Sequence, residues 1–134
     1  MKINSEQEML EVGRKMAKDI SGVIELIGDV GVGKTTFVRG LAEGLGIKEP
    51  VTSPSFTISK SYVCPDGRNL VHYDFYRLND VGLMSEDLME KIKDKNNIVV
   101  IEWSDSVKDY LPINHTEINI NYNDDGSREI EVIK

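Results

Sequence analysis

The spacing of apolar residues predicts three helices in this chain. Apolar positions recur at helical spacing over residues 5–19, where Ser5 and Glu8 form a capping box at the start. A second helix is predicted to begin at Lys34, and a third to occupy residues 83–94. The apolar face of the second helix consists of Phe37, Val38, Leu41 and Leu45, and Gly46 is its predicted C-terminal cap. The first two helices therefore each have one side to bury against a neighbouring layer.

Two other patterns predict the strands. Alternation of apolar and polar residues predicts an antiparallel hairpin over residues 56–76 that turns at 65–69, and a final hairpin over residues 118–132. Residues 98–101 form a continuous apolar run, typical of a strand buried on both faces. Residues 23–27 are predicted to be its parallel neighbour, because the chain between them is long enough for a crossover. This order of elements predicts an α/β domain of three layers with a mixed, partly antiparallel sheet.

A glycine-rich stretch between the first buried strand and the second helix carries the clearest chemistry. Residues 28–35 fit the pattern G-x-x-x-x-G-K-[ST] of a phosphate-binding loop. Glycines let the main chain approach an anion closely, and the backbone N–H groups converge at a helix N-terminus. Lys34 brings an ammonium group to the β- and γ-phosphates, and the Thr35 hydroxyl suits a Mg²⁺ ion.

A glycine-rich turn can match this pattern by chance, but a strand before it and a helix after it are the context that the motif requires. We therefore predict a P-loop NTPase-like domain that binds ATP and Mg²⁺. The loop residues expected to bind the nucleotide are Val30, Gly31, Val32, Gly33, Lys34, Thr35 and Thr36.

Two carboxylates are candidates for the chemistry that follows binding. Glu102 ends the buried strand, at the edge where open α/β sheets place their ligands, and Asp74 ends the second strand of the hairpin. Hydrolysis needs a carboxylate for Mg²⁺ and a group that positions the nucleophile. The alternatives without a catalytic role are that Glu102 points into water and that Asp74 forms an ion pair with Arg77. Which carboxylate orients the attacking water is left open by the sequence.

Four further residues have a functional and a structural interpretation. The Thr52 hydroxyl lies in a Pro- and Ser-rich loop that is placed to sense a terminal phosphate, or that is a rigid turn. Trp103 follows Glu102 directly and belongs either to the core or to the site. His72 either orients Asp74 or packs in the core, whereas His115 is expected at a strand edge.

Composition narrows the function classes. The 134 residues suit one domain, 1–134, and the net charge of −7 argues against unaided binding of nucleic acid, because a phosphate backbone requires a basic face. Cys64 is the only cysteine and lies in a polar stretch, so no disulfide forms and a reducing compartment is expected. No apolar run reaches the length of a membrane span, so we expect a soluble, cytoplasmic protein.

Together these motifs resemble the TsaE (YjeE) family of bacterial ATPases, which are required for threonylcarbamoylation of the tRNA adenosine beside the anticodon. The resemblance rests on the phosphate loop with residues 36–41, on Val-Thr-Ser-Pro-Ser-Phe-Thr at 51–57, on His-Tyr-Asp-Phe-Tyr-Arg-Leu at 72–78 and on Ile-Glu-Trp at 101–103. It extends over nearly the whole chain and is weakest across residues 79–97.

The resemblance implies a protein that acts with TsaB and TsaD. We also expect a monomer when free and, because the chain is acidic, contact with tRNA only through that complex. The resemblance implies that Thr35 and Glu102 bind Mg²⁺ and that Asp74 and Trp103 are important for activity. With the residues themselves considered, Lys34, Asp74 and Glu102 are predicted to be catalytic, and Thr52 and Trp103 to contact the nucleotide. The residues that the resemblance places beside the nucleotide base and sugar are Glu6 and Gly126. The alternatives weighed against an ATPase are a small-molecule P-loop kinase and a nucleotide-dependent interaction module without hydrolysis.

Overall fold

A computed structural model describes residues 1–29, 31–52, 54, 58–76 and 82–134. Within these ranges the chain forms seven strands and three α-helices, and a 3₁₀ helix follows the fifth strand. In chain order the elements are β1 (Lys2–Ile3), α1 (Glu6–Met16), β2 (Val23–Ile27), α2 (Lys34–Gly44), β3 (Ser59–Val63), β4 (Asn69–Asp74), α3 (Gly82–Lys93), β5 (Asn97–Glu102), the 3₁₀ helix (Ser104–Tyr110), β6 (Thr116–Tyr122) and β7 (Arg128–Ile133).

The strands form one mixed sheet in the order β1-β7-β6-β2-β5-β4-β3. The four central strands are parallel, whereas β1, β7 and β3 add antiparallel edges. Val23 of β2 lies opposite Val99 of β5, which confirms the predicted parallel pair. Every residue of β5 is buried, as expected of a strand covered on both faces.

Helices cover both faces of the sheet, which confirms the three-layer prediction. One apolar cluster joins α1 and α2 to the sheet, and a second joins the other sheet face to α3 and the 3₁₀ helix. The two helices α1 and α2 pack closely at Gly13, where an added Cβ would lie 2.5 Å from the carbonyl oxygen of Phe37. Gly46, with a φ of 86°, ends α2 in the predicted left-handed cap.

Several element boundaries differ from the sequence prediction, and three of these differences have a local cause. Helix α1 ends at Met16, three residues early, because the chain turns between Ala17 and Asp19. Strand β3 begins at Ser59, since Ile58 has a φ of 69° that an extended strand does not allow. Residues 56–57, which were also predicted as strand, lie outside the described residues. Strand β4 ends at Asp74, not at 76, because the Asp74 carboxylate turns the chain by accepting from the backbone N–H of Tyr76.

Pattern analysis missed two elements and misjudged one side chain. The two residues of β1 are too few for a periodic signal, and the 3₁₀ helix mixes polar and apolar residues. Cys64 lies in a polar stretch of sequence, yet its side chain is buried in the cluster beneath α2. Within the described part of the chain, no helix combines the length and the apolar character needed to cross a membrane.

Candidate active site

The phosphate-loop motif connects the end of β2 to the start of α2, as predicted. Gly31 and Gly33 have φ values of 80° and 113°, which side chains rarely tolerate. Gly33 is the N-cap of α2 and has no side chain that could occupy the N–H groups of the first turn. These N–H groups and the positive end of the helix dipole suit an anion such as a phosphate. Val30 lies outside the described residues, so its predicted role stays a prediction.

The β6–β7 hairpin holds this loop from the side. The Tyr122 hydroxyl donates to the carbonyl oxygen of Gly31 at 2.7 Å, and Arg128 Nε donates to that of Val32 at 3.2 Å. The two side chains face each other across the hairpin, with the guanidinium 4.7 Å from the centre of the Tyr122 ring. Sequence analysis did not single out either residue, because only the pairing of β6 beside β2 brings the hairpin to the loop.

Lys34 is buried at the centre of the site. Its Nζ donates to the carbonyl oxygen of Gly28 at 2.5 Å and lies 3.9 Å from the centre of the Trp103 ring. It also lies 3.9 Å from Glu102 Oε1. Burial lowers the pKa of Lys34 and outweighs the opposing charges of Glu102, Asp74 and Asp29.

Glu102 and His72 form a buried pair below the loop. Glu102 is 3% exposed at the end of β5, which excludes the interpretation that it points into water. Its Oε2 lies 2.5 Å from His72 Nε2 on the adjacent strand β4. His72 is fully buried, and its Nδ1 has no hydrogen-bond partner among the described residues. His72 therefore orients Glu102, a pairing that neither sequence interpretation of this histidine had named.

Asp74 lies directly opposite Glu102 in the pairing of β4 with β5. Neighbouring residues in such a pair project from the same face, so the two carboxylates share the loop side of the sheet. Asp74 is half-buried, and its charge acts on the pKa of Lys34. The alternative ion pair of Asp74 with Arg77 falls outside the described residues. The structure thus brings together Lys34, Asp74 and Glu102, the three residues predicted to be catalytic.

Trp103 closes one side of this group. Its φ of 57° is left-handed, and its ring centre lies 3.9 Å from the Lys34 ammonium and 4.7 Å from the centre of the Tyr76 ring. A cation over an indole face is attracted by the ring quadrupole. Trp103 therefore contacts Lys34 and also packs against the second apolar cluster, whereas its predicted role in activity stays a prediction.

A pocket of about 250 Å³ opens between the loop and the start of α1. Its lining residues are Ile3, Ser5, Glu6, Met9, Gly31, Val32, Gly33, Thr36 and Arg128. The pocket brings Glu6 beside the loop, and its predicted contact with a nucleotide stays a prediction. Gly126 lies in the β6–β7 turn and is not among these lining residues, so its contact with the nucleotide stays a prediction.

Thr52 has contacts of its own at the edge of the loop that precedes β3. Its hydroxyl accepts from Lys60 Nζ at 3.2 Å, and its N–H donates to the Tyr62 hydroxyl at 3.4 Å. Residues 53 and 55–57 of the same loop lie outside the described residues. A phosphate-sensing role for Thr52 therefore stays a prediction.

The oxygen donors of the site are of the kind that Mg²⁺ uses. No group of three or more His, Cys, Asp or Glu side chains among the described residues could hold a metal ion. Mg²⁺ keeps most of its waters and needs only one or two protein oxygens. Thr35, in the first turn of α2, and Glu102, beside Lys34, offer such oxygens.

Comparison with known proteins decides the family. A family model described as "Threonylcarbamoyl adenosine biosynthesis protein TsaE" matches residues 3–130. The chain belongs to the TsaE family. The resemblance of its motifs to this family is thereby confirmed, as is the P-loop NTPase-like α/β fold.

Individual TsaE relatives match most of the chain. A protein from Nostoc sp. named "tRNA threonylcarbamoyladenosine biosynthesis protein TsaE" is 43% identical over 82% of this chain and 68% of its own length. A protein of the same name from Haemophilus influenzae is 34% identical over 98% of this chain and 86% of its own length. The crystal structure of YdiB from Bacillus subtilis superimposes with a TM-score of 0.78 at 32% identity, covering 97% of this chain and 80% of that one.

Proposed function

We propose that the chain is a Mg²⁺-dependent ATPase that serves threonylcarbamoyladenosine formation in tRNA. The observation that carries the proposal is the position of Lys34, within 3.9 Å of Glu102 and at the N-terminus of a helix that offers free N–H groups to an anion. Family membership supports the pathway, and the carboxylates of Glu102 and Asp74 beside Lys34 support hydrolysis over simple binding.

Lys34 and the N–H groups of the first turn of α2 bind the β- and γ-phosphates in this proposal. The Lys34 ammonium exchanges the carbonyl oxygen of Gly28 for phosphate oxygens by rotating its own side chain. Its burial removes competing water and strengthens its attraction for a developing negative charge. The pocket beside Glu6 and Arg128 receives the nucleoside.

The two carboxylates divide the remaining work. Glu102 is held by His72 on a rigid, buried strand, so it is suited to a metal that demands fixed geometry. Thr35 and Glu102 would hold Mg²⁺, which when bound would neutralise phosphate charge. Asp74 is half-buried at the strand end, where it can orient and deprotonate an attacking water.

We further propose that the protein acts with TsaB and TsaD in the cytoplasm, as a monomer when free, and contacts tRNA only through that complex. The net charge of −7 supports indirect contact, because direct binding of a phosphate backbone needs a basic face. Arg14 and Arg68 are engaged by carboxylates, and Arg128 is bound to the loop backbone. None of these three described arginines is free to serve as a finger on the phosphates, and we expect hydrolysis by the free protein to be slow.

The proposal is tested by ADP release from ATP, measured with the purified chain alone and after addition of TsaB and TsaD. We expect slow, Mg²⁺-dependent release that the partners alter, and no release from Lys34→Ala. Release without a phosphate acceptor separates an ATPase from a kinase. Substantial hydrolysis by folded Lys34→Ala would show that the site is elsewhere.

A further inference from the structure

A second buried carboxylate lies in the middle of β2, on the sheet face opposite α1 and α2. Glu25 is 2% exposed, although isolated charges are costly to bury. Its strand neighbours Ile24 and Leu26 point into the α1–α2 cluster, so Glu25 points to the side of the 3₁₀ helix. None of the roles assigned to the nucleotide site uses this residue.

Three side chains from the segment after β5 converge on Glu25. The Ser104 hydroxyl donates to Oε2, Lys108 Nζ lies 3.4 Å from the same oxygen, and His115 Nε2 lies 3.2 Å from Oε1. The other ring nitrogen of His115 faces the carbonyl oxygen of Pro112 at 2.7 Å. Glu25 therefore ties β2 to both ends of the segment from 104 to 115.

The charge on Glu25 is stabilised by these contacts. Burial alone would raise its pKa, but the hydrogen bonds from Ser104 and His115 and the charge of Lys108 together hold the pKa below its usual range. An ionised carboxylate accepts stronger hydrogen bonds than a neutral amide does. These contacts are accordingly strongest with Glu at this position.

The contacts of Glu25 with Ser104, Lys108 and His115, here called the tether, are linked to the active site because Ser104 is the neighbour of Trp103 in the chain. Ser104 directly follows Trp103, whose left-handed φ of 57° is a rare conformation for a bulky residue. Such a conformation persists only where the surrounding structure imposes it. The same corner sets the Trp103 ring 3.9 Å from the Lys34 ammonium.

We propose that Glu25 is a positioning residue that, through Ser104, holds Trp103 in place against Lys34. The proposal deepens the ATPase function and rests on it only where the consequence for hydrolysis is concerned. Glu25 touches neither nucleotide nor metal; it acts by fixing the corner between β5 and the 3₁₀ helix.

The test compares Glu25→Gln and Ser104→Ala with the unmodified chain. Trp103 is the only tryptophan, so its fluorescence reports this corner alone. We expect acrylamide to quench Trp103 more strongly in both variants, in the absence of any nucleotide. We also expect kcat for ATP hydrolysis to fall about tenfold, because a Lys34 ammonium that loses its Trp103 contact is positioned less well against the charge that develops in the transition state.

Asn97→Ala is the matched control for a general loss of stability. Asn97 is buried at the opposite end of β5, where it binds Asn69 and the carbonyl oxygen of Lys91. We expect this variant to unfold more easily but to keep the wild-type quenching and kcat. In the double variant of Glu25 and Ser104, the effects should not add, because both substitutions remove one tether.

Two results would overturn the proposal. The first is a folded Glu25→Gln protein with unchanged Trp103 quenching and kcat, and the second is an Asn97→Ala protein that shows the same changes. Failure of the ATPase function gives a different result, since the wild-type chain would then release no ADP while the quenching comparison still tests the tether. Ser104→Ala provides the same readouts if Glu25→Gln does not fold.

Discussion

His72 Nε2 lies 2.5 Å from Glu102 Oε2 in the buried space between β4 and β5. Because a carboxylate oxygen accepts, we assign the donor role in this hydrogen bond to His72 Nε2. The bond occupies one carboxylate oxygen and leaves Oε1 on the side of Lys34. A histidine that looks like a core residue therefore determines how the proposed metal ligand presents itself to the phosphate loop.

Replacing His72 by Leu is expected to weaken Mg²⁺-dependent nucleotide binding or hydrolysis by roughly 10- to 100-fold, the range for a lost partner of a metal ligand. The reason is that Glu102 loses its fixed orientation and keeps a buried, unpaired oxygen. Nucleotide titrations with and without Mg²⁺ measure the effect. Leu70→Val, two residues earlier on the same face of β4, is the control and should retain binding; equal losses in both variants would contradict the assignment.

Glu102→Gln and Asp74→Asn are expected to differ. The first should weaken Mg²⁺-dependent nucleotide binding as well as hydrolysis, because it removes a charged ligand on a rigid strand. The second should leave binding nearly intact but slow hydrolysis roughly 100-fold or more, the scale of one positioned catalytic group. Single-turnover assays run beside the titrations decide between them. The reverse pattern, with Asp74→Asn losing the metal, would exchange the two roles.

Removal of the hairpin contacts with the phosphate loop should lower nucleotide affinity. Tyr122→Phe deletes the hydrogen bond to Gly31, a loss of about 1 kcal/mol or about fivefold in affinity. Arg128→Ala should cost more, because Arg128 also lines the nucleoside pocket. Val132→Ala, exposed on the same hairpin, serves as the control in calorimetric titrations with ATP. Unchanged affinity in Tyr122→Phe and Arg128→Ala would mean that the hairpin does not shape the loop.

Cys64 should react slowly with a thiol reagent in the folded protein. Its side chain is 2% exposed, and burial together with Asp66 raises the pKa of the thiol, so little reactive thiolate forms at neutral pH. The rate should rise with pH and should approach that of a free thiol in denaturant. Fast modification of the native chain at neutral pH would show that the cluster beneath α2 is open.

The sequence by itself determined the elements and the chemistry that depend on local patterns. The phosphate loop, the helix that follows it and the buried strand before Glu102 each occupy a short stretch, where glycine spacing and apolar periodicity act over a few residues. Asp74 and Glu102 could be identified as candidate site residues for the same reason, because each ends a strand that the pattern of apolar and polar residues predicts. Their meeting at one edge follows from the parallel pairing of the strands that carry them.

Tertiary structure alone decided which distant side chains complete the site. The strand order brings β6 beside β2 and β4 beside β5, so Tyr122 reaches Gly31 and His72 reaches Glu102. In the sequence, Glu25 is a single polar residue within an apolar strand. Its hydrogen-bond partners Ser104 and His115 lie 79 and 90 residues further along the chain. Local sequence patterns do not predict such pairings. The pairings are selected by burial of the whole sheet and not by the structural preference of any single segment.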